Sequence, residues 1–282
     1  MIFKHASKIA FAGCLAAMLM LNVNSQSSAS AALSAAATKK ATAKVTVQAT
    51  DAVTDTTSTG DATALKYGDV VRGSIEAEGD TVAYTFTGKK GDQIILSILP
   101  DIGADKSLSQ TDFKIASAGK TLYDTSKFSH YYAQGLYKLP KDGAYDVTVS
   151  RVKDASATEL GSFIVHLVKP QVLVSGKAVS AEITLDQLAD VRSIDDFYLI
   201  NAKGALSVAF AQTDGDEHPN IELNAIDKTG KIGSNVANLS GDLLITGAVG
   251  INAVEGDVYV LELRDIYTKN GLKYTVTLTD TP

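Results

Sequence analysis

The sequence predicts an all-β protein made of two tandem copies of one unit, each a sandwich or barrel. Three observations carry that prediction. The second half repeats the pattern of the first at an offset of roughly 110 residues, which marks a duplicated structural unit. From Leu65 onward, short runs rich in Val, Ile, Tyr, Phe and Thr alternate apolar and polar residues, with Gly, Asp and Lys interrupting them about every 8–12 residues. No amphipathic stretch reaches a convincing helix length, which argues against a parallel sheet with helical crossovers.

The duplication is legible in particular residues. Gly91 follows Tyr84-Thr85-Phe86 as Gly204 follows Tyr198-Leu199-Ile200. Gly143 opens Tyr145-Asp146-Val147 as Gly256 opens Tyr259-Val260-Leu261, and Phe163, Val165, Leu167 return as Tyr274, Val276, Leu278.

The chain begins with Lys4 and Lys8 and no acid, continues with an apolar run over 9–23, and reaches Ala29-Ser30-Ala31. A positive start, an apolar segment and an A-x-A site predict a secretory signal peptide over 1–31, cut after Ala31. The run is shorter than the roughly 20 residues of a spanning helix, and Asn22 and Asn24 close it. Cys14 follows Phe11-Ala12-Gly13 as in a lipoprotein cleavage box. It lies in the middle of the apolar run rather than at its end, so no lipid anchor is expected. The expected location is therefore secreted, cell-surface or periplasmic.

Cys14 is the only cysteine, so the remainder has no disulfide, thiolate nucleophile or thiolate metal site. Each repeat, about 105 residues long, can bury a sufficient core without disulfides. Loss of Lys4 and Lys8 takes the formal charge from −6 to −8. Without Lys/Arg clusters, an acidic chain is not expected to bind nucleic acid or an anionic membrane.

Residues 32–64 are dominated by Ala, Thr, Ser, Val and Asp, too few of them bulky to offset chain entropy, and read as a flexible low-complexity linker. Val45-Thr46-Val47 is the one candidate strand there. The first repeat, 65–169, predicts strands at 69–76, 81–87, 92–99, 112–117, 120–124, 134–139, 144–151 and 162–168. Gly88 to Gly91, Ala118-Gly119 and Pro140-Lys141-Asp142-Gly143 supply the turn chemistry. The second repeat, 170–282, predicts strands at 177–184, 195–201, 205–211, 220–226, 231–235, 242–251, 257–265 and 272–279, with a short helical turn near 186–191. Pro170 marks the boundary, in a short polar segment where few contacts are expected to cross.

The first repeat resembles a bacterial pre-peptidase C-terminal domain. The resemblance rests on Gly73-Ser74-Ile75, Tyr84-Thr85-Phe86, Gly91-Asp92, Asp112-Phe113-Lys114-Ile115, Gly119-Lys120, Gly143-Ala144-Tyr145-Asp146-Val147 and Phe163-Ile164-Val165, in that order. The second repeat is looser, with Asn220-Ile221-Glu222-Leu223 in place of the Asp-aromatic strand and Asp195-Asp196-Phe197 as a departure from the first copy. The resemblance implies two tandem jelly-roll-like antiparallel sandwiches with an accessory role, such as adhesion to a substrate or help in export. Some relatives in collagenases bind calcium and fibrous collagen.

Catalysis is not expected. No Gly-x-Ser-x-Gly, His-Glu-x-x-His or phosphate-cradling loop occurs. His166 alternates with Phe163, Val165 and Leu167, which places it on the opposite, solvated face of its strand. His218 lies in an acidic loop before Pro219.

Two clusters stand out. Asp214, Asp216, Glu217 and Asn220, around Gly215, offer hard oxygen ligands suited to Ca²⁺, and a solvated turn would read the same. Asp101, Asp105 and Asp112 form a sparser counterpart in the first repeat. The second cluster is aromatic: Tyr123, Phe128, His130, Tyr131 and Tyr132 form a candidate ligand-binding surface, with Tyr137 nearby. Adjacent Tyr131 and Tyr132 would face opposite ways in a strand, and no Trp is present for sugar stacking.

The expected function is an exported, non-catalytic binding or adhesion protein engaging an extracellular polymer or protein, with calcium as its one candidate cofactor. The alternatives are a self-associating structural component of the cell surface or an extracellular assembly, and an accessory or chaperone of a separately encoded secreted hydrolase.

Overall fold

A computed structural model describes residues 45–46, 56–57, 61–127, 133–153, 159–183, 193–215, 220–228, 230–239, 246–267 and 272–280. Three short strands lead: β1 (Val45–Thr46), β2 (Thr56–Thr57) and β3 (Thr63–Leu65). The first repeat follows as β4 (Val70–Ile75), β5 (Thr81–Gly88), β6 (Gln93–Pro100), β7 (Thr111–Ser117), β8 (Lys120–Asp124), β9 (Ala133–Lys138), β10 (Gly143–Arg151) and β11 (Gly161–Val168). The second comprises β12 (Gln171–Val172), β13 (Ala178–Ile183), β14 (Ser193–Asn201), β15 (Leu206–Asp214), β16 (Asn220–Ile226), β17 (Ile232–Leu239), β18 (Thr246–Ile251), β19 (Val258–Tyr267) and β20 (Leu272–Asp280). The only helical element among the described residues is a single 3-10 turn, Thr125–Lys127.

The fold is all-β, and each repeat is a pair of five-stranded sheets. The first repeat has strand orders β2-β4-β11-β6-β9 and β3-β5-β10-β7-β8. The second has β1-β13-β20-β15-β18 and β12-β14-β19-β16-β17. Replacing each strand of the first repeat by its counterpart reproduces the second, so the repeat in the sequence is a repeat of topology. The short strands β1, β2, β3 and β12 add parallel to a neighbour, and the others pair antiparallel. The predicted linker therefore supplies more than the strand expected at Val45-Thr46-Val47, because β2 and β3 also come from it or its end. Strands of two or three residues are too short to leave a periodic signature.

Alternation explains the outer sheets. In β5, Val82, Tyr84 and Phe86 are buried while Thr81, Ala83 and Thr87 are exposed, as expected of a strand with one face on a core. The first core holds Tyr84, Ile94, Leu96, Phe113, Tyr145 and Phe163, and the second holds Tyr198, Phe210, Ile221, Leu261 and Tyr274. Full burial of each such side chain is worth about 1.5–3 kcal/mol.

A third cluster joins the repeats. Ile95, Leu136 and Val168 of the first pack with Phe197, Leu199, Ile232 and Val260 of the second. The sheet containing β11 and β6 thus lies against the sheet containing β14 and β19, and these strands are covered on both sides. Residues 163–168 of β11 and 94–99 of β6 are all buried. Few contacts were expected across Pro170, but an apolar interface forms there instead. The apolar second faces of β6, β11, β14 and β19 need cover, and each repeat supplies it to the other.

Candidate functional site

The carboxylates predicted to form a calcium site in the first repeat do not converge. Asp101, 1% exposed at the end of β6, pairs with Arg72 of β4, whose Nε lies 2.5 Å from its Oδ2. Asp112 is buried on β7 and accepts from Thr125 Oγ1 at 3.3 Å, with its carboxyl pushed up by burial. Asp105 is exposed in the loop between them. No group of three or more His, Cys, Asp or Glu side chains suited to a metal occurs among the described residues. In the second repeat, Asp214 pairs with Lys273 at 3.3 Å and accepts from the Gly215 amide at 3.0 Å. The Asn220 amide donates to Glu222 at 3.1 Å. Asp216, Glu217 and His218 lie outside the described residues.

The aromatic surface is corrected at its first member. Tyr123 is 6% exposed and stacks on Phe113 with ring centroids 5.7 Å apart, so it belongs to the first core. Its place on β8 sends it inward, and burial pushes its hydroxyl up to about 12. Phe128, His130, Tyr131 and Tyr132, like the expected helical turn at 186–191, lie outside the described residues. The segment 128–132 leads directly into β9, which borders the second repeat: Gly135 forms a bridge with Lys231, and the Leu136 amide donates to the Gly230 carbonyl at 2.9 Å. Beside that contact, Ala225, Ile226, Asp227, Lys231, Ile232 and Gly233 line an open cleft at the turn from β16 to β17.

His166 is the second correction. It is 2% exposed because the face of β11 opposite Phe163, Val165 and Leu167 is covered by the second repeat. On that face Gln134, Ser97 and His166 stand side by side across β9, β6 and β11. Burial lowers the imidazole to about 4 and keeps it neutral, and its ring hydrogen-bonds the backbone of Asp195. Serine beside histidine suggests a nucleophile and its base. Ser97 is fully buried, however, so the pair is closed to any substrate.

Facing this row, Glu262 of β19 receives hydrogen bonds from Gln134 Nε2 at 3.2 and 3.3 Å and from Asn224 Nδ2 at 2.8 Å. Arg264 donates from Nη1 to both Glu222 oxygens at 3.2 and 3.3 Å, and its Nε lies 3.6 Å from Glu262. A β-bulge between Ile194 and Asp196 re-aims β14 where Asp195 and Asp196 are both buried. Burial, reinforced by the Asp195 charge, pushes the Glu262 carboxyl up to about 8 against the opposing pull of Arg264 and Gln134. Reasoning from sequence missed this seam. Its signal was available in the doubly apolar runs of β6 and β11, each broken by one polar residue, Ser97 and His166.

No family model and no curated protein matches the chain. Among solved structures it is similar to the pre-peptidase C-terminal domain of a collagenase from Bacillus anthracis, at 16% identity over 38% of this chain and 94% of that one, with a TM-score of 0.29. It is also similar to a periplasmic inhibitor of g-type lysozyme from Aeromonas hydrophila, at 17% identity over 40% of this chain and 99% of that one, with a TM-score of 0.28.

Proposed function

We propose that this protein is an exported, non-catalytic binding or adhesion protein that engages an extracellular polymer or protein. The observation that carries this reading is the contrast between its sealed reactive groups and its open cleft. His166, Glu262 and Asp196 are closed off inside the seam and the second core, where no substrate reaches them. The cleft at the turn from β16 to β17 offers Ile226 and Ile232 as apolar lining, with Asp227 and Lys231 as charged groups. Concave sites that set a few charged groups against apolar lining are common ligand sites. The aromatic segment 128–132 leads into the strand beside it, and calcium at 214–220 is the candidate cofactor.

The test is retention of the purified protein on collagen, chitin, cellulose and peptidoglycan, in calcium and in chelator, beside an Ile226→Asp variant. Retention on one material that Ile226→Asp loses supports the reading. The absence of retention on any of them would oppose it.

One observation favours self-assembly as a second reading. The outer face of the sheet with β13, β20, β15 and β18 carries the row Ala178, Thr277, Ala209, Ala248 and the row Ser180, Thr275, Ala211, Thr246. A plane of such small side chains suits close stacking of sheets. Concentration-dependent sedimentation without a foreign ligand distinguishes this reading from the first.

A further inference from the structure

The polar row that the first sandwich brings to the joint is short of hydrogen-bond donors. Ser97 of β6 stands directly opposite Gln134 of β9 on one side and His166 of β11 on the other, so the three side chains share one face. Ser97 Oγ, Gln134 Oε1 and His166 Nδ1 are buried, and none of them makes a hydrogen bond within the protein. Gln134 commits its amide nitrogen to Glu262, at 3.2 and 3.3 Å, which leaves Oε1 as an acceptor. The neutral His166 ring bonds the Asp195 backbone, and since Nδ1 is free of that bond, Nε2 carries the hydrogen and Nδ1 accepts. Two acceptors thus flank one hydroxyl, whose single proton serves only one of them. No rotation of the three side chains satisfies the whole row, so it needs a donor from outside itself. On the facing strands, Asn224 and Arg264 donate to Glu262 and Glu222.

We propose that the joint is a binding site for an internal water, held by Ser97 Oγ, Gln134 Oε1 and His166 Nδ1. The two O–H groups of the water donate to Nδ1 and Oε1, and its oxygen accepts the Ser97 proton. Every group in the row is then satisfied, with the roughly three hydrogen bonds usual for a buried water. The row also makes room for it. Serine is the shortest of the three side chains and leaves a notch between the longer Gln134 and His166. From the second sandwich, Phe197 of β14 lies against the imidazole, ring centroids 6.4 Å apart, and Ser97 is fully buried, so bulk solvent is shut out. An anion brings no donor and a large ligand has no way in, which makes a small neutral donor the class of ligand that fits. This site is separate from the cleft at the turn from β16 to β17.

The test is magnetisation transfer from water to the intact protein in solution. The reporter is His166 Hε1, a carbon-bound proton beside Nδ1 that does not exchange during the measurement. A cross-peak from the water line is expected there, with the sign of a molecule that tumbles with the protein. Ser97→Ala removes the hydroxyl of the row, which can relay such a signal by proton exchange, and the cross-peak is expected to persist through Gln134 and His166. Ser97→Val fills the notch with methyl groups and is expected to abolish it. Absence of the cross-peak in the unaltered protein overturns the proposal. So does its loss in Ser97→Ala, which assigns it to the hydroxyl, or its survival in Ser97→Val, which places the water elsewhere. A crystal structure gives a second readout: a solvent peak within about 3.2 Å of both Nδ1 and Oε1 supports the site. Protein donors on those two atoms, or no peak between them, overturn it.

Discussion

Asp196 and Tyr274 are hydrogen-bonded in the second core, at the places that Val82 and Phe163 occupy in the first. The registers establish the equivalence. Tyr84 faces Val147 as Tyr198 faces Leu261, which places Val82 and Asp196 two residues earlier on matching strands. Phe163 faces Gly73 as Tyr274 faces Ala181. A Cβ at Gly73 would meet the Tyr84 hydroxyl and the Phe163 ring, so the first core depends on that glycine for room. In the second core a carboxyl and a phenol entered together. Tyr198 completes the group, 2.8 Å from the Tyr274 hydroxyl, and burial pushes Asp196 up. A lone polar group there would be costly, whereas the pair satisfies itself.

That pairing is measurable. Tyr274→Phe alone is expected to destabilise the protein by about 1–3 kcal/mol, because buried Asp196 loses one of its donors. Asp196→Val with Tyr274→Phe restores the composition of the first core and is expected to cost less than the sum of the single changes, with a coupling of about 1 kcal/mol or more. Urea unfolding of the four proteins gives the coupling. Strictly additive losses would show that the two residues do not act as a pair.

The seam predicts a stability plateau in pH. His166 titrates near 6.5 unfolded and about 4 folded, so the stability it contributes is complete above 6.5 and lost as pH falls toward 4. Glu262 titrates near 4.5 unfolded and about 8 folded, so the stability it contributes is complete below 4.5 and lost as pH rises toward 8. From 4.5 to 6.5 the two effects cancel, and from 6.5 to 8 the Glu262 loss remains, at most about 1.4 kcal/mol per pH unit. Glu262→Gln is expected to remove the alkaline decline and reveal the rise from pH 4 to 6.5. Denaturant midpoints across pH 4–9 check both limbs.

Gly230 holds the joint by backbone alone. Its φ is +86°, and a Cβ there would meet the Leu136 carbonyl. Gly230→Ala is expected to cost about 1–3 kcal/mol through left-handed strain and displacement of that carbonyl. A thermal melt reads the loss, and an unchanged melting temperature would mean that β9 and the turn after β16 separate freely.

Arg72 neutralises the buried carboxylate of Asp101. Arg72→Met is expected to destabilise by about 3–5 kcal/mol, because Asp101 remains buried and charged. A melting temperature matching the parent's would show that Asp101 reaches water or a proton instead.

Calcium is expected to act through the second repeat. Asp214→Ala with Asp216→Ala should abolish any calcium-induced rise in melting temperature, read against the same protein in chelator. An unchanged rise would place the ion elsewhere.

The alternating runs and their repetition determined the all-β class, the strands β4–β11 and β13–β20, and their twofold use, because period-2 burial is a local property of neighbouring residues. Tyr84, Phe113 and Tyr145 could be placed in a core from that pattern alone. The covering of the second face was a tertiary decision. Alternation correctly set His166 opposite Phe163, Val165 and Leu167, yet it could not tell whether water or protein lay there. Residues near in sequence also parted in space: Asp101 follows β6 against Arg72, while Asp112 lies on β7 against Thr125. Conversely, Gln134 and Glu262, 128 positions apart, became partners only because two apolar sheet faces closed on each other, a contact that no local pattern encodes.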